Sequence, residues 1–124
     1  MHVSSERFEA LAFEEADAVL AQLSPDLRAE AETVLLLVED RAERDQTARP
    51  GYVTLGLYEG VPLVERHADS TLLQPDRITL FRLPLQGLAR TETELRRQLR
   101  KTLIHELGHF FGFDEEQLQA RGWG

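Results

Sequence analysis

The sequence contains no cysteine among its 124 residues. A disulfide framework and a thiolate metal site are therefore both excluded, and the absence fits a reducing compartment. The longest purely apolar run, residues 34–38, is far too short to span a bilayer. The start of the chain has neither a basic nor an apolar segment, so we expect no secretory signal and a bacterial-type cytoplasmic location.

Positive charge is also scarce, with 14 Lys and Arg against 22 Asp and Glu and a formal net charge of −8. Such a surface should repel nucleic acid and anionic membranes, and we expect neither as a partner. The hydrophobic fraction of 42% and the charged fraction of 29% are typical of a globular domain. The length suits one domain, residues 1–124, with a single core.

The first half of the chain predicts two helices and a strand. Apolar residues at helical spacing predict a helix over residues 4–23, with Ser4 or Ser5 as its N-cap. Ser24-Pro25 should end it and start a short helix. Residues 33–38 fit either a continued helix or a buried strand, and we favour the strand because the run is short and apolar.

The second half predicts further strands and a long helix. Residues 52–65 indicate extended pieces around a turn, and residues 77–83 a strand that Pro84 ends. Thr91 and Glu94 have capping-box spacing at the head of a helix that should run to about Phe111. Four leucines at helical spacing predict a buried stripe on this helix: Leu95, Leu99, Leu103 and Leu107. A basic run predicts a solvated face: Arg96, Arg97, Arg100 and Lys101.

The long helix carries the motif HELGHFFGFDEE at residues 105–116. His105 and His109 are four residues apart, so they project from one helix face and can both reach a zinc ion. Glu106 points roughly 100° around the helix, which suits a general base that holds a water better than it suits a ligand. Gly112 is a natural left-handed terminator that would turn the chain.

The motif leaves the third ligand open. An extended pattern H-E-x-x-H-x-x-G-x-x-acid selects Glu115 by register, while Asp114 and Glu116 compete for the role. A plainer interpretation makes the histidines surface residues, the glycine a C-cap and the acids solvated. We disfavour it because every part of it would have to hold at once.

The motif resembles that of the zincin metallopeptidases, specifically the small zincin-like metallopeptidase family, or mini-zincins. Three other segments are similar to that family in the same order: VLLLVED, GLYEGVPLVER and PDRITLFRLPL, at residues 34–40, 56–66 and 75–85. The resemblance implies a single small α+β domain, with an N-terminal helix, a small mixed sheet and a C-terminal active-site helix that carries HExxH. It also implies one zinc ion per chain, held by two histidines and an acid, and a peptide or protein substrate.

The sequence departs from its relatives at one position. The family usually has Asp where this chain has Glu115, and the extra methylene must be accommodated by the turn. The only methionine is Met1, so the methionine-containing turn of the metzincins is absent. Only 15 residues follow His109, too few for the separate ligand helix of the gluzincins. Zinc-dependent rRNA-processing hydrolases match Asp114, but Glu106 and Glu115 replace their Gly and third His.

These observations support a zinc-dependent peptidase in which His105, His109 and Glu115 bind the metal and Glu106 is the general base. The alternative is a catalytically inactive zinc-binding domain that acts through a protein partner; a purely structural zinc site leaves Glu106 without a role. We expect the strand at 77–83 to be the sheet edge that receives substrate. Four residues are candidates for the oxyanion, each more simply explained as core or surface: Tyr52, Tyr58, Arg66 and His67.

Overall fold

The protein has an α+β fold of helices packed around a small mixed sheet. The structure, a computed structural model, describes residues 1–46, 51–66 and 75–120. Its helices are α1 Ser5–Ala21, α2 Pro25–Ala31, α3 Arg82–Gly87, α4 Glu92–Phe111 and α5 Glu115–Ala120; its strands are β1 Leu35–Glu39, β2 Gly56–Glu59 and β3 Arg77–Phe81. Short 3-10 turns lie at Arg44–Gln46 and Leu63–Glu65. In the part of the chain that is described, no helix combines the length and apolarity needed to cross a membrane.

The predicted starts of the first two helices are confirmed. The Ser4 hydroxyl accepts the Arg7 N–H at 3.1 Å, and Ser24 caps α2, whose first residue is proline. Arg28 then reaches back to the end of α1, where its guanidinium donates to the carbonyl of Leu20 at 2.9 Å. A cation at a helix C-terminus satisfies carbonyls that have no intrahelical partner, so α2 is fixed against the end of α1.

The sheet has the order β1-β3-β2, with β1 parallel and β2 antiparallel to β3. The prediction of a strand in residues 33–38 is thus confirmed. The prediction that the strand at 77–83 forms a free edge is wrong, because β3 lies in the centre and pairs on both sides. Its last four residues are all buried, as expected for a strand covered on both faces.

The same strand ends earlier than predicted. β3 stops at Phe81, and Pro84 is the third residue of α3 rather than the residue that ends the strand. Proline is tolerated there because the N–H groups of the first helical turn have no intrahelical acceptor. Arg82, at the junction, is buried and donates to Asp40 Oδ1 at 2.9 Å and to the Val3 carbonyl at 2.8 Å. The turn from strand to helix is therefore tied to β1 and to the N-terminus.

The core lies between α1, α4 and the sheet. The leucine stripe of α4 is buried as predicted, between α1 and β3. Helix α1 contributes Phe8, Leu11, Ala12 and Val19 to this core, and β3 contributes Ile78 and Leu80. Thr91 caps α4 by accepting the Glu94 N–H at 3.1 Å. Helix α4, the longest in the described residues, is thus held on two sides, which makes it a rigid support for the residues near its C-terminus.

The prediction of a solvated basic face on α4 is confirmed for Arg97, Arg100 and Lys101, which are exposed, whereas Arg96 is half-buried. Glu15 on α1 is buried, and its carboxylate accepts from Arg96 at 3.3 Å and from Arg100 at 2.7 Å. A buried carboxylate must be paired, so both guanidinium groups bond to Glu15 on α1, although the Arg100 side chain stays 50% exposed. Lys101 lies elsewhere and lines the cleft described below.

Candidate metal centre

The end of α4 is set by a Schellman turn. Gly112 has φ +106°, its N–H donates to the His109 carbonyl at 3.0 Å, and the Phe113 N–H donates to the Gly108 carbonyl at 2.9 Å. These two bonds satisfy carbonyls that the helix leaves without partners. A side chain at Gly112 would also meet Val64, whose Cγ2 would lie 2.4 Å from the added Cβ. The chain therefore reverses sharply at the point that the motif predicts.

A capping interaction starts α5 shortly after this turn. The Asp114 carboxylate accepts the Gln117 N–H at 2.8 Å, and the Gln117 amide oxygen accepts the Asp114 N–H at 2.8 Å. This reciprocal pair is a capping box. It makes Glu115 the first residue of α5. Since Asp114 is occupied as the cap, it is not free to turn toward the histidines.

The structure brings together the three residues singled out by the motif. Glu115 Oε1 lies 3.1 Å from His105 Nε2 and 2.9 Å from His109 Nε2. One candidate ligand atom from each residue falls within 4.8 Å of the others. Zinc bonds of about 2.0–2.1 Å in a tetrahedron place neighbouring ligand atoms about 3.3 Å apart. Two imidazoles and a carboxylate at this spacing therefore fit zinc in both chemistry and size.

The turn also orients one imidazole. His109 Nδ1 lies 3.0 Å from the Phe113 carbonyl oxygen, which can only accept, so Nδ1 carries a proton and Nε2 is the ring nitrogen directed at Glu115. Zinc-binding histidines are commonly fixed in this way by a second hydrogen bond. The two rings are 4.9 Å apart between centroids and nearly perpendicular. Both Nε2 atoms consequently converge on Glu115.

Glu106 lies beside this trio, and one of its oxygens is anchored. The Tyr58 N–H of β2 donates to Glu106 Oε1 at 2.9 Å, and Oε2 is 3.9 Å from His105 Nε2. The residue is only 7% exposed. Burial raises the pKa of its carboxyl, while the neighbouring charges of His109 and His105 and the Tyr58 N–H oppose that rise. Oε2 is thus the oxygen directed toward the candidate metal position.

An open cleft of about 790 Å³ runs over the site, between β2 and α4. The strand and the helix approach closely at its floor, where a Cβ added to Gly56 would be 2.6 Å from Thr102 Cγ2. Only glycine allows this separation. His105, Glu106 and His109 line the middle of the cleft.

The four residues considered for the oxyanion fall in different places. The Tyr58 hydroxyl donates to Asp76 at 2.7 Å, and the Arg66 guanidinium pairs with the same carboxylate. Both groups bond to a buried acid, so Arg66 is not the loop-surface residue that the plainer explanation predicts. Tyr52 is exposed and lines the cleft. His67 lies outside the described residues.

Two participants were missed in the sequence. The Asp114 cap has a readable signal, because D-x-x-Q is capping-box spacing and would have favoured Glu115 over Asp114. The backbone N–H that holds Glu106 has no sequence signal. Tyr58 is 48 residues away from Glu106, and a residue of almost any type would supply the same N–H.

Comparison with known families supports this arrangement. A comparison with curated protein sequences finds no match. A family model described as zincin-like metallopeptidase matches residues 31–123, which is most of the chain and includes the sheet and all of α4. The chain therefore belongs to the zincin-like metallopeptidase family.

Proposed function

We propose that the protein is a zinc-dependent peptidase whose active site is built on α4. The observation that carries the proposal is the convergence of His105, His109 and Glu115, with their candidate ligand atoms within 4.8 Å of one another. A buried acid with one oxygen directed toward this trio lies next to it. Three protein ligands leave one position of a tetrahedral site for water or substrate, which is the pattern of catalytic rather than structural zinc.

His105, His109 and Glu115 would hold one zinc ion per chain. When bound, zinc lowers the pKa of a coordinated water toward neutrality and polarises a carbonyl group. Glu115 contributes a full negative charge from the exposed side of the site, since its side chain is 65% exposed. Its side chain, one methylene longer than Asp, places Oε1 3.1 Å from His105 Nε2 and 2.9 Å from His109 Nε2.

Glu106 would act as the general base. Its Oε1 is held by the Tyr58 N–H, so Oε2 is the atom that takes the proton of the attacking water and then passes it to the leaving amine. Glu106→Gln keeps the shape and removes this capacity.

The substrate would bind along β2, not β3. The Leu55 carbonyl accepts from Phe81 in β3, so alternation turns the N–H and C=O of Gly56, and those of Tyr58, away from β3 and toward the cleft. β2 also lines the cleft beside the histidines. Since the Tyr58 N–H already bonds Glu106, an extended peptide would add to this edge through the remaining main-chain groups of Gly56 and Tyr58 and lie across the candidate metal position.

A peptide-library cleavage assay on zinc-loaded protein tests the proposal. We expect wild type to cleave, and Glu106→Gln to bind zinc equally but to lose at least a hundredfold in rate, the scale of a general base. Glu116→Gln, one residue beyond the candidate ligand, is the matched control and should keep both properties. Equal cleavage by wild type and Glu106→Gln would contradict the mechanism. Zinc binding without cleavage by wild type would favour the non-catalytic zinc-binding domain.

A further inference from the structure

The charged side chains that line the cleft are separated along its length. Lys101 is the only lysine or arginine that lines the cleft within residues 1–46, 51–66 and 75–120. It lies on α4, one turn before His105. Glu65 and Asp114 line the opposite end, beyond His109. Lys101 therefore lies on one side of the candidate metal position, while the acids that line the cleft, Glu65, Glu106, Asp114 and Glu115, lie at that position or beyond it.

Lys101 is available to a ligand. It is exposed, and among the residues that the structure describes no ion pair engages it. Its neighbours one turn away on α4 are Arg97 and His105, and neither supplies a negative charge. In a chain with a net charge of −8, Lys101 belongs to a local basic run on α4. It would attract an anionic group that the rest of the surface repels.

The direction of β2 relates this charge to the polarity of a bound peptide. Gly56 approaches Thr102, Tyr58 bonds Glu106, and Val64 packs on Gly112, so β2 and the turn after it run in the same direction as α4. Antiparallel addition is the more stable pairing for a new strand. A peptide antiparallel to β2 therefore extends its carboxyl-terminal side toward Thr102 and Lys101.

The distance along α4 from His105 to Lys101 matches the length of one or two residues of an extended peptide. Four helical residues separate Lys101 from His105, a rise of about 6 Å. An extended peptide advances about 3.3 Å per residue. The Lys101 ammonium thus stands within reach of the first two residues after a bond held at His105 and Glu106.

We propose that Lys101 selects peptides with a carboxylate at the first or second residue on the carboxyl side of the cleaved bond. The inference rests on the proposed peptidase function. The carboxylate belongs either to an Asp or Glu side chain or to a free C-terminus, since both present the same anionic group to an ammonium. Glu65 and Asp114 complement this polarity by favouring positive charge on the amino side.

A binding measurement tests the role of Lys101 independently of peptide cleavage. The probes are short peptides whose amino end carries a hydroxamate, which fixes their register at the zinc ion. Their second residue is Glu, Gln or Lys, and each is made with an amidated and a free C-terminus. Dissociation constants are measured on zinc-loaded Glu106→Gln protein, so that turnover does not enter, and the zinc content of every variant is checked.

We expect the Glu or free-carboxylate probe to bind about twofold to fivefold more tightly than its neutral counterpart, as an exposed charge pair allows. Lys101→Met should remove the preference and Lys101→Glu should transfer it to the Lys probe. Arg97→Met removes the same net charge outside the cleft and should leave the preference intact.

Equal binding of charged and neutral probes, or a preference that survives Lys101→Met, would overturn the proposal. So would a failure of every hydroxamate to bind zinc-loaded protein. A charge preference in a protein that cleaves no peptide would uphold the Lys101 site and contradict only the peptidase function.

Discussion

The backbone N–H of Tyr58 donates to Glu106 Oε1 at 2.9 Å, so the edge strand β2 holds the buried acid of α4. The contact requires β2 and α4 to lie very close, which Gly56 permits opposite Thr102. The geometry of the candidate base is therefore decided at the strand–helix contact as much as on the helix itself.

Gly56→Ala should disturb this contact. The new Cβ would lie 2.6 Å from Thr102 Cγ2, so the strand and helix must separate, at a cost of about 1–3 kcal/mol in the free energy of unfolding. We expect reduced peptide hydrolysis with zinc content retained. Urea unfolding and zinc analysis measure the two effects.

The matched rescue is Thr102→Ser, which removes the obstructing methyl and keeps the hydroxyl bonded to the Gln98 carbonyl. Gly56→Ala with Thr102→Ser should recover part of both stability and rate. A double variant no better than Gly56→Ala alone would show that the Thr102 methyl is not the limiting contact.

Gly108→Ala should weaken zinc binding without touching a candidate ligand. A Cβ at Gly108 would lie 2.2 Å from Leu118 Cδ2, and Leu118 is fully buried, so α5 must move. Since Glu115 is the first residue of α5, we expect the zinc dissociation constant to rise about tenfold or more, within the range typical of disturbed supporting residues. Zinc titration against a competing chelator measures it.

Gly87→Ala is the control, because no atom lies within 4 Å of a Cβ at that helical position. It should leave zinc affinity unchanged. A Gly108→Ala protein with wild-type zinc affinity would contradict the role assigned to α5.

Arg96 and Arg100 should prove redundant partners of Glu15. Each single Met substitution leaves the buried carboxylate one guanidinium and should cost about 1 kcal/mol or less. The double substitution leaves Glu15 unpaired in a buried position and should cost about 3 kcal/mol or more. Denaturant unfolding at neutral pH gives the three free energies of unfolding.

Adding Glu15→Leu to the double variant should restore stability, because it removes the buried charge that has lost its partners. Additive single costs and no rescue by leucine would contradict this account of the α1–α4 contact.

Asp40 should make stability depend on pH in the acid range. Its hydrogen bond from Arg82 lowers the pKa of the Asp40 carboxyl below its usual value. A lowered folded pKa contributes stability above the unfolded pKa of about 3.9, and that contribution is lost as pH falls through the folded value. The stability difference between wild type and Asp40→Asn should be constant near neutrality and shrink below about pH 4.

Arg82→Met tests whether Arg82 causes the lowered pKa of Asp40. In that background the pH dependence of the Asp40→Asn effect should disappear, since the cause of the lowered pKa is gone. A difference that grows as pH falls, or that persists without Arg82, would contradict the assignment.

The candidate metal centre could be predicted from the sequence because its parts are local. Four-residue spacing places His105 and His109 on one helix face, and Gly112 and the Asp114 cap act within a few residues of Glu115. The helix caps at Ser4, Ser24 and Thr91 were predictable for the same reason.

The errors concern contacts between distant parts of the chain. The central place of β3 depends on its pairing with β1 and β2, which no local pattern of residues 77–83 encodes. Arg96 and Arg100 bond to Glu15, which is more than 80 residues away in the sequence. Tyr58 and Glu106, which also bond, are 48 residues apart. A basic run or a short strand by itself does not reveal which partner the fold will bring to it.

The most direct test of the central claim is the zinc content of purified protein, measured by mass spectrometry for wild type, Glu115→Ala and Glu116→Ala. The account predicts about one zinc ion per chain in wild type and in Glu116→Ala, and weakened or lost zinc in Glu115→Ala, because three ligands are needed for a stable catalytic site. No zinc in the wild type, even after zinc is added back, or full zinc retention in Glu115→Ala, would contradict the three-ligand site.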